Sequence, residues 1–139
     1  MGTYLNPGKD AFQKIVNGEY VDKTGMIALL NRTIGTTKNL ACISRPRRFG
    51  KSFAAKMLCA YYDCTCDSHL LFDGREIART EGYTEHLNRY NVICLDITSF
   101  ISDVKKRRGS LVEIPLVIEE AIRKDMTLNS VKNIKNKLE

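Results

Sequence analysis

Residues 39–62 read NLACISRPRRFGKSFAAKMLCAYY, and the fold turns on how they are parsed. The apolar run LACI at 40–43 predicts a strand. A tight basic loop follows and closes with Gly50-Lys51-Ser52. Phe53, Met57, Leu58 and Tyr61 then recur at helical spacing and predict a helix with a core-facing stripe. Strand, loop, Gly-Lys-Ser and helix are the parts of a phosphate-binding P-loop, the Walker A motif. Successive backbone N–H groups ring phosphate oxygens, and the helix aims its positive end at them. Gly50 lets backbone approach where a Cβ would collide. Lys51 supplies a point charge for β- and γ-phosphates, and Ser52 offers a hydroxyl to Mg²⁺.

One position departs from the motif. It asks for Gly six residues before its Lys, and Arg45 stands there. Pro46 has no N–H to donate to a phosphate. The competing reading of this stretch is a surface basic turn between a strand and a helix.

The run Arg45-Pro46-Arg47-Arg48-Phe49-Gly50-Lys51-Ser52 resembles the RPRRFGK[ST] signature of the AAA-ATPase-like family, whose members often carry a PD-(D/E)XK nuclease-like domain further on. Two other stretches carry the same resemblance. Tyr20-Val21-Asp22-Lys23-Thr24 looks like the family's YVDKT box, and Leu71-Phe72-Asp73-Gly74-Arg75-Glu76-Ile77 is similar to its LFxGLxI stretch. His86 and residues 92–100 look like its next strand. The resemblance covers residues 12–100 and makes Arg45 normal at its position. It implies an α/β fold: an incomplete P-loop NTPase (AAA-like) domain, three-layer α/β/α with few strands. It also suggests a place for residues 20–24 beside a nucleotide base, with Tyr20 stacking on adenine; simple packing at a domain edge is the alternative.

At 139 residues the chain is at most one small domain. Its 43% hydrophobic and 27% charged residues are an ordinary globular composition. No apolar run approaches the length of a membrane span. Residues 1–9 hold no apolar signal core, so a cytoplasmic location is expected. The formal charge of +6 permits attraction to polyanions. Its basic residues gather in the P-loop and at Lys105-Lys106-Arg107-Arg108, a second group in an expected loop at 99–110. Nucleic-acid contact by that group competes with an ordinary solvated charge run. Five cysteines, an odd number, are expected as thiols. Cys42 and Cys94 sit in apolar runs and read as small buried hydrophobes. Cys59, Cys64, Cys66 and His69 form a metal-like cluster, but their spacing departs from paired zinc ligands.

Short helices are expected after Asp10, with Phe12, Ile15 and Val16 on one face, and after Thr24, through Met26, Ile27, Leu29 and Leu30. Asp73-Gly74 marks a turn, and a short helix is expected around 85–89. Residues 92–97 (VICLDI) predict a second strand whose Asp96 imitates a Walker B carboxylate. No Glu follows Asp96 to orient a water, so it is the weaker magnesium candidate beside Ser52. Residues 111–124 predict a helix that Pro115 opens or interrupts. Val131, Ile134 and Leu138 support only a marginal helix in the basic tail, 101–139.

The expected function is an ATP-binding module using ATP and Mg²⁺. Arg47, Arg48, Phe49, Gly50, Lys51, Ser52 and Phe53 are its nucleotide contacts. No carboxylate pair, sensor strand or arginine finger is evident, so hydrolysis by this chain alone is not expected. Two strands alone would leave backbone groups unpaired. The expectation is therefore an N-terminal piece completed by a C-terminal region or by a second copy. The alternatives are a non-catalytic nucleic-acid-binding module and an inactive fragment of a longer ATPase–nuclease protein.

Overall fold

Gly50 takes a left-handed backbone conformation, φ 78°, and the helix Lys51–Tyr62 starts at the next residue. The computed structural model describes the backbone of residues 2–138 and the side chains of residues 2–129. Among these residues there are seven α-helices: α1 (Asp10–Val16), α2 (Gly25–Asn31), α3 (Lys51–Tyr62), α4 (His69–Phe72), α5 (Tyr83–His86), α6 (Ile97–Lys106) and α7 (Ile114–Leu138). Single 3₁₀ turns lie at Glu76–Arg79 and Leu111–Glu113. The chain divides into two compact units, one of residues 8–92 and one joining the residues up to Pro7 with those from Ile93 onward.

The 8–92 unit is built around α3. Ala, Met, Leu and Lys favour the helix, and Ala54, Met57, Ala60 and Tyr61 form its buried face. The core joins Met57, Ala60 and Tyr61 to Phe12 of α1, Ile27 of α2, Phe72 of α4, Ile77 and Leu87. Phe72 stacks on Phe12 with ring centroids 5.4 Å apart and meets Tyr61 edge-on at 5.3 Å. Both are preferred aromatic geometries. At the end of α2, the Asn31 amide donates to the Tyr61 hydroxyl at 3.0 Å and accepts from the Tyr62 hydroxyl at 2.7 Å. Burial pushes the Tyr62 phenol far above its ordinary pKa, and the charges of Tyr61 and Tyr90 add to the shift.

The last carbonyls of α3 have no partner within the helix. Residues 88–90 supply them. The Asn88 N–H donates to the Tyr61 carbonyl at 2.7 Å, and the Tyr90 N–H to the Tyr62 carbonyl at 2.8 Å. Asp63, fully buried beyond the helix, accepts the Gly8 N–H at 2.7 Å and the Thr65 N–H at 2.8 Å. His86 bonds the Tyr90 hydroxyl at 2.6 Å and stacks on that ring, so it packs rather than projects.

In the other unit, Phe100 and Val104 lie one turn apart on α6 and are buried. Tyr4 packs on Phe100 with centroids 5.3 Å apart, and Leu5 bridges to Ile93. Residues 99–106 are helical, which corrects the expected loop. Asp96 caps α6, and Lys105 and Lys106 fall in its last turn, where cations favour the helix. Ser110 and Glu113 form a capping box over the following 3₁₀ turn. Pro115 sits in the first turn of α7, where its missing N–H costs nothing. That helix runs on through the expected marginal tail; the side chains of Val131, Ile134 and Leu138 lie outside the described ones.

The expected α/β architecture does not form. Among the described residues there is no sheet, only the isolated bridges Leu5 to Ile93 and Asp63 to Tyr90. Residues 40–43 and 92–97 hold the apolar runs that predicted strands, yet neither run pairs with the other. A strand is held by its neighbours: among the described residues the backbone at 40–43 has none, and that at 92–97 has only the short contact of Ile93 and Cys94 with Leu5 and Tyr4. Leu40 is accordingly 96% exposed, and Cys42 is exposed rather than buried. Cys94 is half-buried. The three-layer P-loop NTPase domain is therefore replaced by packed helices.

Candidate nucleotide-phosphate site

The residues before α3 make a sharp basic turn. Arg48 (φ 68°) and Gly50 (φ 78°) both adopt left-handed backbone, which curls the chain from Arg47 into the helix. The N–H groups of Lys51, Ser52 and Phe53 open α3, so no carbonyl one turn back within the helix can take them. No backbone carbonyl among the described residues accepts from them either. Arg47, Arg48, Phe49, Lys51, Ser52 and Phe53 are exposed, and Gly50 is half-buried. The seven expected nucleotide contacts thus form one continuous turn and first helical turn.

Two lysines hold this turn. The Lys51 ammonium folds back over the loop and donates to the Arg45 carbonyl. Lys23 reaches in from a distant part of the sequence and donates to the Phe49 carbonyl at 2.8 Å. A Cβ on Gly50 would stand 2.9 Å from Lys23 Nζ. The backbone angle favours glycine there, and a Cβ would make the lysine head shift.

Lys23 is placed by its sequence neighbours. Asp22 accepts the Thr24 N–H at 2.9 Å and the Glu76 N–H at 3.0 Å. The buried Thr24 hydroxyl accepts the Ile77 N–H at 3.1 Å. Burial pushes the Asp22 carboxyl up, but the Glu76 and Thr24 N–H groups outweigh it and hold the carboxyl below its ordinary pKa. The stretches 20–24 and 71–77, apart in sequence, therefore lock together. Lys23 stands between the two locked residues. Its place beside the turn adds it to the candidate residues, a role that the sequence motif alone does not assign. The available signal was the alternation Asp-Lys-Thr, in which residues on either side of Lys23 carry short polar side chains suited to capping backbone.

Beside the turn lies a hollow of about 280 Å³, lined by Tyr20, Val21, Lys23, Arg48, Phe53 and Met57 among others. Phe49 (59% exposed) and Phe53 (47% exposed) present ring surface. Phe53 therefore leaves the core-facing stripe in which the periodicity placed it. Tyr20 packs edge-on against Phe12 at 5.4 Å, and the Arg75 guanidinium covers its ring at 4.8 Å. Its hydroxyl contacts Met57 Sδ at 3.4 Å and accepts the Lys23 N–H at 3.3 Å. Burial raises the Tyr20 phenol pKa, so it stays protonated.

The remaining candidates have partners of their own. Asp96 belongs to the unit that resumes at Ile93, and its carboxylate accepts the Thr98 and Ser99 N–H groups at 3.0 and 3.3 Å. Lys106 pairs with Asp103 at 3.9 Å and Arg107 with Glu113 at 3.6 Å, both on the surface. Cys59 is buried in α3, and among the described residues no group of three or more His, Cys, Asp or Glu is arranged to hold a metal ion. Among the same residues no helix is long and apolar enough to cross a membrane.

Comparison with curated proteins gave no significant match, and neither did comparison with solved structures. A family model does match, over residues 7–136, so that it takes in the basic turn, Lys23 and both locked stretches. On that match the chain belongs to the AAA-ATPase-like family, described as predicted AAA-ATPases.

Proposed function

We propose that this protein binds ATP with Mg²⁺ on residues 45–53. The observation that carries the reading is the left-handed turn at Arg48 and Gly50, which runs into the unbonded N–H groups of α3. Such a concavity of N–H groups at the positive end of a helix is suited to phosphate oxygens. Lys51 lies folded over the turn, in reach of it, and supplies charge to the β- and γ-phosphates. Arg47 and Arg48 add charge at the rim. Gly50 leaves room for an oxygen. Ser52, exposed in the first turn, is the hydroxyl that would hold Mg²⁺, which in turn neutralises phosphate charge. The hollow with Phe49 and Phe53 gives a flat base apolar surface. Family membership supports the same reading.

The test is titration of ATP with Mg²⁺ into the wild-type chain and into Lys51→Ala. Binding that weakens by at least about tenfold in the variant is expected, the scale of a charge-assisted phosphate contact. Equal affinity in the two proteins rules the site out.

A further inference from the structure

We propose that Lys23 is a second phosphate-binding cation, one that exchanges the Phe49 carbonyl for the nucleoside-proximal phosphate when a nucleotide enters. The inference rests on the reading of residues 45–53 as a triphosphate site. Three observations lead to it. The ammonium lies 2.8 Å from the Phe49 carbonyl and within 2.9 Å of where a Gly50 Cβ would be, so it sits against the backbone that leads into α3. Its own backbone is held by the bonds of Asp22 and Thr24 to the 3₁₀ turn at Glu76–Arg79, so only the side chain has to move. It also lines the hollow that carries Tyr20 and Phe53, whereas Lys51 bonds back to Arg45. Lys23 thus faces the aromatic end of the site, where a nucleoside and its first phosphate would lie.

The exchange is favourable in direction. A lysine bonded to an exposed neutral carbonyl gains little over water, while a bond to a phosphate oxygen adds the attraction of opposite charges. In the unliganded protein the same lysine props the turn, so one side chain serves both states.

The experiment measures ADP and ATP affinity, each with Mg²⁺, for wild type, Lys23→Ala, Lys23→Gln, Lys23→Arg and Lys51→Ala. Unfolding midpoints serve as the check on folding. Lys23→Ala is expected to weaken ADP and ATP by the same factor, about tenfold or more, because both carry the first phosphate. Lys51→Ala is expected to weaken ATP more than ADP. Lys23→Gln is the deciding variant. Its amide is a donor without charge, one atom shorter than the lysine, so a wild-type unfolding midpoint is the check that the turn keeps its prop; it is expected to bind nucleotide as poorly as Lys23→Ala, while Lys23→Arg retains binding. If Lys23→Gln binds like wild type, Lys23 only props the turn and the proposal is overturned. It is likewise overturned if Lys51→Ala loses binding and neither uncharged variant does. Failure of wild type to bind either nucleotide removes the phosphate site itself, and the role of Lys23 with it.

Discussion

Asp125 Oδ2 accepts the backbone N–H of Tyr4 at 2.8 Å, across 121 positions of sequence. The same carboxylate takes the Leu5 N–H at 2.8 Å and the Thr3 N–H at 3.1 Å. One side chain in the middle of α7 thereby holds the bend at residues 3–5, and it is only 7% exposed. Burial pushes the carboxyl up, but the Leu5, Tyr4 and Thr3 N–H groups outweigh it and leave its pKa below the ordinary value.

A depressed carboxyl pKa fixes the sign of the pH effect. The unfolded chain binds a proton at this residue more readily than the folded one, so the stabilisation is complete above the unfolded value, about 3.9, and fades as pH falls through the folded value. Asp125→Asn keeps the shape but turns an NH₂ toward a backbone donor. It is expected to lower stability at neutral pH by about 1–3 kcal/mol. Urea unfolding of both proteins at pH 7 and near pH 3 checks this. The gap between them should narrow at the lower pH; a gap that is constant, or that widens in acid, contradicts the assignment.

Thiol reactivity tests the replacement of the sheet by helices. Cys42 would be shielded in a central strand but is exposed here. Cys66 is half-buried, and burial together with the Asp63 charge pushes its thiol up to about 11. At pH 8 only about one in a thousand Cys66 thiols is then ionised, and the thiolate is the reactive form. Brief iodoacetamide treatment followed by peptide mass mapping should find Cys42 modified early, and Cys59 and Cys66 late. Protection of Cys42 in the folded chain would speak for a paired strand at 40–43.

How far the sequence reveals this fold is seen by comparing α3 with the strands. Gly50-Lys51 announces the start of α3 because left-handed backbone and helix propensity are local properties, written in adjacent residues. The locked stretches 20–24 and 71–77 were visible as motifs, yet their mutual bonds depend on Asp22 and Thr24 meeting Glu76 and Ile77, which no local pattern encodes. Residues 40–43 carry a strand pattern, but a strand exists only with a neighbour, and composition cannot supply one. The start of α6 is masked for the opposite reason. Asp96 after an apolar run imitates a metal ligand, which hides its ordinary role as a helix cap, and the buried pair Phe100 and Val104 stands among the basic residues of an apparent loop.

Gly50 separates loop geometry from charge. Gly50→Ala forces a Cβ into left-handed backbone at a cost of about 1–2 kcal/mol and crowds Lys23 Nζ. The ammonium is the far end of a long side chain and can shift, so the protein is expected to fold with a lowered unfolding midpoint. Nucleotide affinity should fall further than in proportion, since the Cβ fills the place of closest approach. Paired calorimetric titrations and thermal melts read both effects. Wild-type affinity in the variant would mean that no phosphate comes close to this Cα.

Asn88 offers the sharpest test of the 8–92 unit, because its amide is used in both senses. Its Nδ2 donates to the carbonyls of Ala60 at 3.2 Å and Asp63 at 2.8 Å, closing the end of α3. Its Oδ1 accepts the Ser68 N–H at 3.0 Å and lies 3.0 Å from the Ser68 hydroxyl, which also reaches the Ala60 carbonyl at 2.7 Å. Asn also tolerates the left-handed φ of 55° observed there better than most residues do. Asn88→Ala removes the bonds and leaves buried partners unmet, for a loss of about 2–4 kcal/mol if two such groups go unsatisfied. Asn88→Asp keeps the acceptor but points a charged oxygen at two carbonyl oxygens. It is expected to destabilise at least as much as Ala at pH 7, and to recover part of the loss in mild acid, where a protonated carboxyl can donate again. Urea midpoints for the three proteins across that pH range decide it. An Asp variant as stable as wild type at neutral pH would mean that the amide nitrogen of Asn88 is not what closes α3.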